Sequence, residues 1–107
     1  VIIGNLIENA LDSVRREEPA RRKVYFGMFD YPHHLAIIVR DHGPGIPPEI
    51  RDNIFQQGFT TKGSANRGLG LYLVKRYLET AGGEVEFREP PDGGAEFSIF
   101  IPKDASV

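Results

Sequence analysis

The apolar residues of this chain change their period three times, and that alternation restricts the fold more than any single residue does. Over residues 1–16 the spacing is helical. At roughly 100° per residue, Ile3, Leu6, Ile7, Ala10 and Val14 gather on one side, with Asn5, Glu8, Asn9 and Asp12 on the other. Glu17-Glu-Pro-Ala ends that helix, because Pro19 disfavours helical geometry in the residue before it. Lys23–Tyr31 and Leu35–Asp41 then read as paired strands. Val24, Phe26 and Met28 alternate along the first, Leu35, Ile37 and Val39 along the second, and Tyr31-Pro-His-His makes the turn. Helical spacing returns over Gly68–Ala81, with Leu73, Val74, Tyr77, Leu78 and Ala81 on one stripe and Gly82-Gly83 as the stop. Glu84–Arg88 and Ala95–Ile101 form a second hairpin across Glu89–Gly94.

The connecting segments complete the order. Gly43-Pro-Gly-Ile-Pro-Pro is a rigid loop, and Pro47 and Pro48 favour a helix start, so Glu49–Gln56 is expected as one short helix. Gly58–Arg67 is polar and aperiodic and reads as a mobile loop. The succession α, ββ, short α, loop, α, ββ predicts an α+β fold, a two-layer sandwich with the helices on one face of the sheet. A chain of 107 residues holds one such core and not two. The helical pattern is already under way at Val1 with no capping residue before it, as in a piece of a longer chain, whereas Lys103–Val107 reads as a domain end.

Bulk properties exclude several function classes. The net charge of -2 gives no electrostatic basis for binding nucleic acid or an anionic membrane. No apolar run is long enough to span a bilayer, and no signal-peptide pattern is present. With no cysteine there is no disulfide and no thiolate metal site, which fits a reducing compartment.

Four short segments carry the candidate chemistry: Asn5-Leu-Ile-Glu-Asn9, Asp41-His-Gly-Pro-Gly45, Phe59-Thr-Thr-Lys62 and Arg67-Gly-Leu-Gly-Leu71. The first places carboxamide and carboxylate oxygens along one helix stripe. Magnesium takes hard oxygen donors and keeps several waters, so one side-chain oxygen with phosphate oxygens suffices; a solvated helix face would show the same pattern. Asp41 shares the inward parity of Leu35, Ile37 and Val39, and a carboxylate on the core side needs a donor such as an adenine amino group. Gly43 and Gly45 admit a planar base without a Cβ in its way, although a strand-ending turn accounts equally for D-x-G-x-G. Lys62 and Arg67 flank a loop leading into Gly68-Leu-Gly-Leu71, where a helix N-terminus presents unpaired N–H groups to phosphate. Phe55 reads as a core residue and Phe59 as the anchor of the loop base.

Taken in order, these segments resemble the N, G1, F and G2 boxes of the catalytic and ATP-binding domain of bacterial sensor histidine kinases, within the gyrase–Hsp90–kinase–MutL ATPase superfamily. The resemblance covers nearly all of residues 1–107. Thr60-Thr-Lys-Gly-Ser, followed by Asn66-Arg-Gly-Leu-Gly-Leu-Tyr-Leu-Val-Lys75, is similar to kinases that sense citrate or C4-dicarboxylates. The resemblance implies the Bergerat ATP-binding fold, with a mixed, mainly antiparallel sheet, and implies ATP and Mg2+ as ligands. Asn9 would coordinate the metal and Asn5 would sit near the phosphates, with Glu8 beside them. Asp41 would bind the adenine amine in a pocket shaped by Gly43, Gly45, Ile46 and Leu71. Thr61, Lys62 and Arg67 would belong to a lid over the phosphates, cradled by Gly68, Leu69 and Gly70; Asn5, Glu8 and Lys62 are the candidates for a direct part in the chemistry.

This chain departs from the wider superfamily in three places. ATP-hydrolysing relatives carry a glutamate base four residues before the magnesium asparagine, where this chain has Asn5; that implies transfer to an acceptor other than water. Ala95 follows Gly94 where the family often has threonine, and Asn66-Arg67 replaces a further glycine of the lid. His33, His34 and His42 lack the helical context of a phospho-accepting histidine. The resemblance therefore implies the ATP-binding half of a two-component kinase. Its acceptor histidine would lie in a dimerisation domain before Val1, its downstream partner would be a response regulator, and it would occupy the cytoplasmic part of a membrane-anchored sensor. A non-catalytic nucleotide-binding module and a protein-serine kinase of the same superfamily are the alternatives.

Overall fold

The computed structural model describes residues 2–56 and 67–103. Helix α1 spans Ile2–Val14 and α2 spans Arg67–Thr80. Strands β1 (Val24–Asp30), β2 (His34–Asp41), β3 (Glu84–Arg88) and β4 (Ala95–Pro102) form one four-stranded sheet in the order β1-β2-β4-β3. Each pairing among the described residues is antiparallel. The two hairpins meet where β2 pairs with β4, placing Ile37 opposite Ile99, Val39 opposite Phe97 and Asp41 opposite Ala95.

That register aligns one inward face. Leu6 and Ala10 of α1 and Val74 and Leu78 of α2 close over Ile37, Val39, Phe97 and Ile99 in a single core. The two helices also pack against each other, α1 lying over β2 and α2 over β3. The result is the α+β two-layer arrangement, with both helices on one face of the sheet. Gly82, at φ 75, takes the left-handed position that ends α2.

Three expectations about individual elements are corrected. Phe26 and Met28 share the parity of Val39 and Ile37, yet they are 46% and 52% exposed. β1 is an edge strand, and α1 packs on it less than on β2. On α2 the buried stripe runs through Val74 and Leu78 toward Ala81 just past the helix end, while Tyr77 is 47% exposed. Val74 and Leu78 are four residues apart and fall on one line, and Tyr77 lies about 100° round from Leu78. The short helix expected over 49–56 is a 3-10 helix over Pro48–Asn53 followed by a turn. A segment this short behind two prolines makes i→i+3 bonds, such as Ile50 N–H to the Pro47 carbonyl at 3.2 Å. Ile54, just beyond it, plugs into the core. A second 3-10 turn, Pro19–Arg21, links α1 to β1.

Candidate nucleotide site

The end of β2 forms the base of the site. Asp41 continues the inward parity of Ile37 and Val39 and is 2% exposed. An ionised carboxylate at that depth needs donors aimed at it. The Gly43 backbone N–H supplies one to Asp41 Oδ1 at 2.8 Å, closing an Asx-type turn. The Ser13 hydroxyl of α1 donates to the same oxygen at 3.1 Å. The carboxylate is therefore fixed by its own following turn and by the last turn of α1.

The glycines around Asp41 are required by contact. A Cβ on Gly43 would stand 2.0 Å from Ser13 Oγ and 2.8 Å from the Ser13 carbonyl oxygen, so α1 and the loop after β2 approach at backbone distance. Gly94, in the β3–β4 turn, has φ 88, and a Cβ there would lie 2.0 Å from the Asp41 carbonyl oxygen. Gly45 in turn packs against the Gly94 carbonyl. Arg51 ties this loop to the turn. Its Nε donates to the Ile46 carbonyl at 3.0 Å, a terminal nitrogen meets Glu89 Oε2 at 2.7 Å, and the guanidinium lies over the Phe87 ring.

Along α1, Asn5, Asn9 and Ser13 recur every four residues and are all half-buried, whereas Glu8 is exposed. The polar side of α1 is thus not the single exposed stripe expected. Its Asn5–Asn9–Ser13 line turns toward the rest of the site. At one end, Asn5 Oδ1 stands 3.5 Å from where a Cβ on Gly70 would be, in the opening turn of α2. At the other, Ser13 reaches Asp41. The line spans about 12 Å at 1.5 Å per residue, joining the glycine-opened helix to the buried carboxylate.

The sequence candidates distribute as follows. Asn5, Asn9, Asp41, Gly43, Gly45 and Gly70 border one region between α1, the loop after β2 and the start of α2. Ile46 and Leu71 are half-buried and pack onto the core. Arg67, Gly68 and Leu69 lie in the first turn of α2. Thr61, Lys62 and Phe59 lie outside the described residues. Phe55 packs on the core, edge-to-face with Phe97 at a centroid distance of 6.2 Å. Sequence reasoning missed Ser13, which follows Asn9 by four residues, a usable signal. Gly94 entered it only as the residue before Ala95, and its contact with Asp41 joins residues more than fifty apart.

Arg40, on β2, and His42, just past its end, flank Asp41 in sequence and both face Asp92 of the β3–β4 turn, His42 Nδ1 at 3.8 Å from Asp92 Oδ2. Desolvation acts to raise the Asp92 carboxyl. The opposing effects of its backbone hydrogen bond, the Arg40 guanidinium and His42 prevail and hold it below its ordinary value.

The description "histidine kinase-, DNA gyrase B-, and HSP90-like ATPase" matches residues 1–105 as a family model. The sensor protein CitS of Halalkalibacterium halodurans is 41% identical over 102 residues, covering 95% of this chain and 19% of that protein. CitS of Bacillus subtilis is 43% identical over 103 residues, covering 96% of this chain and 18% of that protein. The chain thus spans about a fifth of the length of these curated relatives. Among solved structures, the catalytic domain of histidine kinase ThkA in a nucleotide-free form superposes with a TM-score of 0.77 at 27% identity, over 98% of this chain and 66% of that one. Full-length ShkA in complex with AMPPNP gives a TM-score of 0.77 at 28% identity, over 99% of this chain and 21% of that one.

Proposed function

The chain belongs to the histidine kinase-, DNA gyrase B- and HSP90-like ATPase family, and from that premise we propose that residues 1–107 are the catalytic and ATP-binding domain of a two-component sensor kinase. In this reading the domain binds ATP with magnesium and donates the γ-phosphoryl group to a histidine on a dimerisation domain of the same protein. A response regulator then receives the phosphoryl group. The domain works on the cytoplasmic side of a membrane-anchored sensor; among the described residues no helix is long and apolar enough to cross a membrane.

The observation that carries this reading is the Asp41 carboxylate, buried to 2% exposure and oriented by Ser13 and Gly43. A buried, oriented acceptor beside Gly43 and Gly45, which present no side chain, suits the exocyclic amine of adenine. From there the Asn5–Asn9–Ser13 line leads to the opening turn of α2, whose N–H groups and dipole suit the phosphates. Lys62 and Arg67 would add positive charge over them.

The donor set also fits magnesium. Among the described residues no group of three His, Cys, Asp or Glu side chains could hold a metal, so a dedicated protein cage is not what the site offers. The Asn9 carboxamide oxygen, with phosphate oxygens and water, matches magnesium's habit of keeping much of its hydration. Bound there, the ion would neutralise phosphate charge.

Asn5 decides where the phosphoryl group goes. A neutral carboxamide does not take a proton from water, so this position does not generate a hydroxide nucleophile. Glu8, exposed and about 100° of helix rotation from Asn9, stays a candidate for a direct part in the chemistry beside Asn5 and Lys62. Phosphoryl transfer of this kind depends on positioning and charge neutralisation, and an external histidine supplies its own nucleophile.

The test mixes the protein with magnesium-ATP and its acceptor helix pair and looks for an acid-labile, base-stable phosphohistidine. A stable phosphoserine, or tight ATP binding with no transfer, would replace this reading with another. Asp41→Asn is expected to weaken adenine nucleotides far more than free triphosphate, and equal loss for both would remove the adenine assignment.

A further inference from the structure

We infer that Ser13 is a positioning residue for adenine recognition: its hydroxyl holds the Asp41 carboxylate in the orientation that selects a purine bearing a 6-amino group. The inference rests on the ATP reading above and assigns to the third member of the α1 line a part in base selection.

The geometry is specific. An ionised carboxylate only accepts hydrogen bonds, so the single Ser13 proton is the one shared in the 3.1 Å contact with Asp41 Oδ1. A serine within a helix can instead return its proton to the carbonyl four residues earlier; here it reaches a residue 28 positions away. Gly43 makes that reach possible. A Cβ at position 43 would occupy the space of Ser13 Oγ, at 2.0 Å, and would stand 3.0 Å from Asp41 Oδ1. Ser13, Gly43 and Asp41 therefore form one three-residue arrangement in which the hydroxyl and the Gly43 N–H, at 2.8 Å, converge on one carboxylate oxygen. Two donors on the same oxygen fix the side-chain torsion.

A fixed carboxylate distinguishes bases by what they present at C6. The adenine amine donates to it, whereas the oxo group of hypoxanthine brings a second acceptor against it. Loss of the Ser13 hydroxyl lets the carboxylate turn, so the attraction weakens and the repulsion is relieved. The effect appears in the ratio of the two affinities rather than in nucleotide binding as a whole. Because Ser13 is two turns from Asn5, triphosphate contacts at the start of α2 lie about 12 Å away along the helix.

The experiment measures the dissociation constants of ATP and inosine triphosphate, both with magnesium, on the intact protein and on Ser13→Ala and Ser13→Thr. Both nucleotides are read on one sample, so any loss of folded fraction cancels in the ratio. The native protein is expected to prefer ATP. Ser13→Ala is expected to lower that preference about tenfold, the scale of a hydrogen bond to a charged group, and Ser13→Thr, which keeps the hydroxyl, to retain it. A native preference kept in full by Ser13→Ala would overturn the role of Ser13 and leave the ATP reading standing. Equal weakening of both nucleotides, or a threonine variant as unselective as the alanine one, would also overturn it. A native protein with no preference for ATP would remove the adenine reading and this inference together.

Discussion

Gly94 and Asp41 touch through their backbones: a Cβ on Gly94 would lie 2.0 Å from the Asp41 carbonyl oxygen and 3.3 Å from the Cα of His42. The β3–β4 turn is thereby pressed against the strand end that carries the buried carboxylate. Gly45 in turn lies against the Gly94 carbonyl, 3.0 Å from where its Cβ would be. The end of β2 that carries Asp41 is thus held by the second hairpin as much as by the first.

Gly94→Ala is expected to destabilise the fold by more than about 2 kcal/mol, since the added methyl meets backbone and the residue sits at φ 88. Urea denaturation measures the loss. Gly4→Ala is the control, because nothing lies within 4 Å of its Cβ position.

Asn9→Ala is expected to remove the dependence of ATP affinity on magnesium. In the native protein, chelating magnesium should weaken ATP on the order of tenfold, by analogy with the loss of other metal-site contacts. The alanine variant should show the same weak affinity with and without the ion. Titration calorimetry in both conditions decides it, and a full magnesium effect in the variant removes Asn9 from the ligand set.

The Asp92 ion pair makes a prediction about pH. The folded carboxyl lies below its ordinary value of 3.8, so it stabilises the fold above that value and loses the contribution as pH falls through the lower folded value. Asp92→Asn should melt at a lower temperature than the native protein near neutrality. The gap should narrow only below pH 3.8. A gap unchanged from neutral to acid would assign the loss to something other than the charge.

Leu78→Ala is expected to cost about 2–5 kcal/mol, since Leu78 is 1% exposed beneath α2. Tyr77→Ala, one residue earlier and 47% exposed, should cost far less. Thermal unfolding of the pair tests which face of α2 is inward.

Much of the fold was legible because it rests on local periodicity. The helical spacing of Leu6, Ala10 and Val14 and the alternation of Leu35, Ile37 and Val39 report which side of an element is apolar, and the structure buries Leu6, Ala10, Val14, Ile37 and Val39. Asp41 was legible for the same reason, as a carboxylate on an inward parity. Phe26 and Met28 misled because parity states which face a side chain takes and not whether a helix reaches far enough to cover it. The expected helix after Pro48 failed on length, since a few residues behind two prolines close i→i+3 bonds more readily than an α-helix.

By itself the sequence determined the elements, the inward faces and the order of four segments that resemble a nucleotide site. Tertiary structure alone decided that β2 lies between β1 and β4, which brings the β3–β4 turn onto Asp41. It also decided that α1 meets α2 at Asn5 and Gly70 and meets Asp41 at Ser13. Periodicity is a property of neighbouring residues, whereas these contacts join residues 28 to 65 positions apart. They exist only because packing two helices onto one sheet face leaves few ways to bury both apolar stripes at once.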